Sequence, residues 1–310
     1  MSEALDPAAV TATAPAANAV SRPLVSVIMS MRNSAATVGA AVRSIQLQTL
    51  SDWELIVIDD GSSDQSSSIV SAFQDARIRL VREASSAGLA TRLNQAVALC
   101  RGDFIARMDA DDVCFPDRLA RQVEKLQNEP SLDVLASGAV VFTDGGELIG
   151  LLPVNSDHQV IIKKPFDGFP LPHPTWCGRA KWFGRNPYDP RLMKAEDQDL
   201  LLRTYQHSRF GALETVLLGY RQNQLDLKKL LPGRRTFIGS LWRYGLRSGQ
   251  LLPALKGIAT HLLKAVADIV TIGLGLGRWA QRGRLKPVPP AVEQQWLQLQ
   301  RRLAGDKAAA

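Results

Sequence analysis

Asp109, Asp111 and Asp112 place three carboxylates within four residues, directly after the run Phe104-Ile105-Ala106-Arg107-Met108. Like charges this close raise one another's pKa and destabilise a loop unless an opposite charge compensates. A divalent cation is a natural compensator. Mg2+ or Mn2+ takes oxygen ligands, commonly one or two carboxylates together with substrate phosphates, so the loop suits a metal-bridged diphosphate. The plainer reading is an acidic loop whose Asp112 caps a helix beginning near Pro116, and a D-x-D alone does not separate the two.

Two further acidic sites invite the same comparison. Asp59-Asp60-Gly61-Ser62-Ser63-Asp64 is rich in turn and N-cap formers, yet a carboxylate there can also accept hydrogen bonds from a base N–H or from ribose hydroxyls. Glu196-Asp197 heads a stretch containing Leu200-Leu201-Leu202, where first-turn acids would satisfy the helix macrodipole by about 0.3–1 kcal/mol. His173 precedes Pro174 in an apolar, Pro-rich loop, where local backbone could satisfy it; Trp176 and Trp182 could stack on a sugar face or fill the core. No G-x-G-x-x-G follows the first strand and no G-x-x-x-x-G-K-[ST] occurs, which disfavours dinucleotide and P-loop chemistry.

The elements that must position these groups follow from periodicity. Apolar runs at 24–30 and 53–58 read as buried strands joined by a helix within 35–49, a βαβ unit that predicts a parallel sheet. The alternation continues with a helix over 65–74, a strand at 78–81, a helix over 89–100 and a strand at 104–108. In such doubly wound sheets ligands bind outside the carboxyl ends of the strands, so the two acidic loops should face one crevice. Beyond them the pattern predicts a helix over 113–127 with Pro116 in its first turn, strands at 134–138 and 140–142, and a helix over 196–205. Residues 153–188, dense in Pro, Gly and aromatics, read as loops building a binding wall rather than as sheet core.

With 45% hydrophobic, 22% charged and 6% aromatic residues in 310, the chain has the composition of a globular protein, and collagen-like or disulfide-scaffold classes are excluded. Cys100, Cys114 and Cys177 form no CxxC pair and fit a reducing compartment. Residues 1–22 read as a disordered leader without the basic and apolar regions of a signal peptide. The net charge of +7 is uneven: residues 1–220 carry 21 Lys and Arg against 26 acids, residues 221–310 carry 16 against 4. Such a basic tail points to an anionic partner, with a solvated basic face as the bland alternative. Lys256, Lys264 and Asp268 interrupt every long apolar stretch between 234 and 286, so the tail suggests interfacial amphipathic helices or helices packed on the domain, not a spanning segment.

Taken in order, the motifs resemble a family 2 glycosyltransferase with the GT-A nucleotide-sugar fold. The resemblance covers Pro23 to about Arg221. It rests on 23–28, 54–64, Gly88-Leu89-Ala90 with Leu93-Asn94, 105–112, Pro116-Asp117-Arg118-Leu119, His173-Pro174-Thr175, Tyr188-Asp189 and Glu196-Asp197-Gln198-Asp199-Leu200. It implies a mostly parallel α/β sheet flanked by helices over 23–221 and a basic helical extension over 222–310. By the same resemblance Asp60 contacts the nucleobase, Asp109 the ribose side and Asp111 the metal, Mn2+ or Mg2+. Asp197 would be the general base of an inverting transfer, with His173 and Glu196 on the acceptor side. The implied partners are a nucleotide-diphosphate sugar donor, a glycan or lipid-linked acceptor and an anionic membrane surface, in a cytoplasmic or membrane-peripheral setting, with no nucleic acid. Ser30-Met31-Arg32-Asn33 departs from relatives that carry a Pro and an aromatic before the Asn, leaving the base open, and the absence of Q-x-x-R-W favours single additions over processive synthesis. The alternatives are a sugar-phosphate nucleotidyltransferase, which wants a Gly-rich basic loop after the first strand, and a non-catalytic GT-A-like assembly partner.

Overall fold

A computed structural model describes residues 22–223 and 226–305. The leader expected over 1–22 therefore lies, but for Arg22, outside the described residues. Strands β1 (Val25–Met31), β2 (Trp53–Asp59), β3 (Ile78–Arg82) and β4 (Phe104–Asp109) alternate with helices α1 (Val38–Gln46), α2 (Ser66–Ser71) and α3 (Leu89–Leu99). They pair in parallel in the order β3-β2-β1-β4, as the βαβ reading requires. β1 and β2 are apolar on both faces because both are covered: Val27 and Val57 pack with Val42 and Ile45 of α1, while Ile28 and Ile56 pack with Leu93 and Ala96 of α3.

The sheet continues through β5 (Val113–Cys114), α4 (Arg118–Asn128), β6 (Val134–Phe142), β7 (Leu148–Leu152), α5 (His158–Ile161), β8 (Cys177–Arg179), α6 (Ala180–Arg185), α7 (Glu196–Thr204) and β9 (Phe210–Arg221). Three expectations change here. The helix expected from 113 begins only at Arg118, because Val113 and Cys114 pair with Gly219 and Leu218 of β9. Asp112 consequently caps no helix; its Oδ1 accepts the Arg221 N–H at 2.8 Å. Residues 134–142 form one strand, and the supposed wall of loops contributes β8, which runs antiparallel between β4 and β6 and supplies partners for their backbone groups.

Four helices follow: α8 (Leu227–Ser248), α9 (Leu251–Gly273), α10 (Gly277–Gly283) and α11 (Pro290–Ala304). α11 folds back onto the sheet, burying Trp296 and Leu299 against Val113, Val140 and Phe142, with the Trp296 and Phe142 rings 4.6 Å apart. α8 adds Phe237 and Leu241 to the core beneath α7. α9 sits directly on the turn at 165–167, since a Cβ at Gly257 would lie 2.7 Å from the Phe166 carbonyl oxygen. The opposite side of α9 exposes Leu262, Leu263, Val266, Ile269 and Val270. Among the described residues no helix is long and apolar enough to cross a membrane.

Candidate active site

Strand register brings the acidic loops to one edge. Met31 of β1 stands opposite Asp59, and Ser30 stands opposite Asp109, so the loops after β2 and β4 leave the sheet at nearly the same level on either side of β1. Two strand spacings, about 10 Å, separate them.

The loop after β2 is internally satisfied. Asp60 is buried, and its Oδ1 accepts from the Ala87 N–H (2.7 Å) and Arg92 Nε (2.6 Å), its Oδ2 from Ser86 Oγ (2.7 Å) and the Gly88 N–H (3.1 Å). Gly88 presents that N–H at φ 87°, a backbone geometry that favours glycine. Burial opposes ionisation here, but the four donors outweigh it and hold the carboxyl below the usual range. Asp59 accepts from the Ser62 N–H and from Ser67 Oγ. Asp60 is thus placed at the expected edge, where it fastens the 85–88 loop.

The loop after β4 is the reverse. Carboxylate oxygens of Asp109, Asp111 and Asp112 lie within 4.8 Å of one another. Asp109 is held by both terminal nitrogens of Arg107, at 2.7 and 2.5 Å. Asp112 Oδ2 is buried with no hydrogen-bond partner. Burial and then the Asp109 charge push the Asp111 carboxyl up; burial, then Asp109 and Asp111, push Asp112 up further. Three crowded carboxylates, one with an orphaned oxygen, match the ligand demand of a hard divalent cation such as Mg2+ or Mn2+. Arg221, at the end of β9, fixes the loop by donating from Nε to the Asp111 carbonyl oxygen at 2.8 Å.

Glu196 and Asp197 open α7, immediately after Ala195, whose φ of 55° is a strained left-handed conformation for a residue with a Cβ. Burial and then the Asp197 charge push the Glu196 carboxyl up to about 7. Burial also raises Asp197, against the Gln198 side-chain amide that reaches its Oδ2 at 3.4 Å. The Arg107 charge acts on both acids, and Asp109 acts on Glu196, so the two acidic groups belong to one electrostatic region. His173 lies behind Glu196, its Nδ1 3.9 Å from Oε1 and its Nε2 2.8 Å from the Tyr188 hydroxyl. Burial, reinforced by Arg107, drops its pKa well below 6.5, so it stands there as a neutral ring. Trp176 and Trp182 are core residues, which removes sugar stacking from their options.

Some site residues carried no assigned role in the sequence. Arg107 is the cation at the centre of the acids, and its signal was a single charge inside an apolar strand. Asn94 exchanges hydrogen bonds with the Tyr188 backbone at 2.8 and 2.9 Å, which explains why those two motifs belong together. Arg221 has no signal of this kind, because only the fold brings it to the loop after β4.

The family described as Glycosyl transferase family 2 matches residues 26–181. A putative glycosyltransferase, EpsE of Bacillus subtilis, is 33% identical over 229 residues, covering 71% of this chain and 79% of its own. The UDP-Glc:alpha-D-GlcNAc-diphosphoundecaprenol beta-1,3-glucosyltransferase WfgD of Escherichia coli is 38% identical over 103 residues, 33% of this chain and 41% of its own. Among solved structures, S. aureus TarS 1–349 in complex with UDP-GlcNAc superposes with a TM-score of 0.59 at 17% identity, covering 89% of this chain and 79% of that one. That likeness identifies the fold as the GT-A type.

Proposed function

Because the chain belongs to glycosyl transferase family 2, we propose that it moves a sugar from a nucleotide-diphosphate donor to a hydroxyl of a glycan or lipid-linked acceptor, with inversion. The observation that carries this reading is the under-satisfied acidic loop after β4, sharing one region with Glu196 and Asp197. Asp197, kept basic by burial, takes the proton of the acceptor hydroxyl as its oxygen attacks the anomeric carbon; the bond to the diphosphate breaks and the nucleoside diphosphate leaves. Asp109, fixed by Arg107, faces the ribose side, and Asp60 serves the base through the 85–88 loop it holds. Asp111, with Asp109 and Asp112, would hold Mn2+ or Mg2+, which when bound stabilises charge on the departing diphosphate. Glu196 and the neutral His173 border the acceptor side.

The exposed leucines of α9 and the basic surplus of the tail favour work on an anionic membrane surface at the cytoplasmic face, and the lipid-linked acceptor in the name of WfgD is consistent with it. A nucleotidyltransferase fits less well, since Ser30-Met31-Arg32-Asn33 is not a Gly-rich basic loop. The test is product stereochemistry: with an α-linked nucleotide sugar, NMR should show a β-linked product. An α-linked product would sink the assignment of Asp197 as the base of a single displacement.

A further inference from the structure

A cavity of about 650 Å³ lies between α7 and the C-terminal helices. Ala195 and Gln198 form one wall, Arg234, His261 and Lys264 another, and Arg284, just past α10, stands at the rim. Its electrostatics are unbalanced. The buried Asp268 carboxylate binds Arg234 at 2.6 Å and Arg284 at 2.5 Å, two cations to one anion. Lys264 has no ion pair among the described residues, so even with Asp167 on the lining the cavity keeps a positive surplus. His261 is 7% exposed, and its ring nitrogens make no hydrogen bond of full geometry, although the Phe166 backbone interacts with the ring. Burial, then Lys264 and Arg234, push its pKa down to about 4 against Asp167 and the Phe166 backbone, leaving a neutral ring.

We infer that this cleft binds a phosphate or diphosphate group carried by the acceptor, with Arg234, Lys264 and Arg284 meeting its charge. The inference rests on the transferase reading and gives the acceptor side of that site its chemistry. Gln198 makes the connection: it lines the cleft and its amide touches the Asp197 carboxylate at 3.4 Å, so a group anchored here holds its hydroxyl near the base. Helical periodicity supplies the rest. His261, Lys264 and Asp268 share the inward face of α9, while Leu262, Leu263, Val266, Ile269 and Val270 turn outward beside them, where an apolar tail attached to the phosphate can lie.

The test is calorimetric titration of the full chain with inorganic pyrophosphate in chelator, which silences the acidic loop after β4. Wild type should bind, and Lys264→Glu should weaken binding at least about tenfold, whereas Lys256→Glu, exposed elsewhere on α9, should leave it unchanged. Should Lys264→Glu fold poorly, Arg284→Gln at the rim gives the same comparison. Sedimentation with phosphatidylcholine vesicles, with and without phosphatidic acid, separates the sources. Phosphatidic-acid binding that follows the same variant order assigns the phosphate to a lipid headgroup; that order with pyrophosphate alone assigns it to a water-soluble ligand. No pyrophosphate binding by wild type, or equal weakening by Lys264→Glu and Lys256→Glu, overturns the proposal. The transferase reading fails separately, if the wild type with Mn2+ responds to no nucleotide diphosphate.

Discussion

The loop after β2 and the loop after β4 use the same residue type at the same sheet edge, yet their electrostatics are opposite. Asp60 has four internal donors and a lowered pKa, whereas Asp112 has an orphaned oxygen and a raised one. The first loop is complete in the folded chain and acts through what it fastens. The second is folded against its own repulsion, held by Arg107 and Arg221, and keeps an unmet demand for positive charge. Acidic composition alone therefore does not locate a ligand site; the unmet hydrogen-bonding and charge demand does.

Substitutions at the acids and their partners should behave differently in the two regions. The largest effect belongs to Asp197→Asn, on the ligand-demanding side: single-turnover transfer should fall by about 10²–10⁴-fold while calorimetric donor affinity is kept. Next comes Arg107→Met, which removes the buried cation paired with Asp109; urea unfolding should register a loss of about 2–3 kcal/mol, discounted for the partial exposure of Asp109. Asp60→Asn should cost about 1–3 kcal/mol by the same assay, because it disturbs a satisfied buried network, with no dependence on added cation. Asp111→Asn should go the other way and stabilise the protein in chelator, since it relieves repulsion. If both Asp variants destabilised alike in chelator, the contrast between the loops would be lost.

A smaller effect follows from Glu196. Its carboxyl is raised from an ordinary 4.5 to about 7, so between those values the folded state holds a proton that the unfolded chain has lost. Stability should accordingly fall as pH rises from about 4.5 to about 7 and level off above. In Glu196→Gln, melting temperatures across that window should lack this contribution.

Much of the parallel half was legible in the sequence because its strands are doubly buried and its helices periodic: the expected strand at 53–58 appears as Trp53–Asp59 and the helix at 89–100 as Leu89–Leu99. β5 and β8 were not legible. Val113-Cys114 and Cys177–Arg179 are too short to show a period, and only pairing with β9, β4 and β6 makes them strands. The candidate acids could be picked out because carboxylates after apolar strands are conspicuous, but whether each is satisfied depends on Arg92, Arg107 and Arg221, which converge through the fold. In the tail α9 and α11 both pack on the domain, but to different extents: α9 seats Gly257 on the turn at 165–167. α11 buries Trp296 on the sheet, as packing requires, while α9 leaves its leucines uncovered.

On this account a cation and a diphosphate should complete the loop after β4 and not the loop after β2. Thermal melting of wild type and Asp111→Asn with UDP, GDP, CMP or dTDP, each with Mn2+ or chelator, tests it most directly. One nucleotide should raise the wild-type melting temperature only when Mn2+ is present, by about 2.7 kcal/mol of stabilisation at a hundredfold excess over its dissociation constant, and Asp111→Asn should lose the shift. A shift of equal size in chelator, or one retained by Asp111→Asn, would contradict the account.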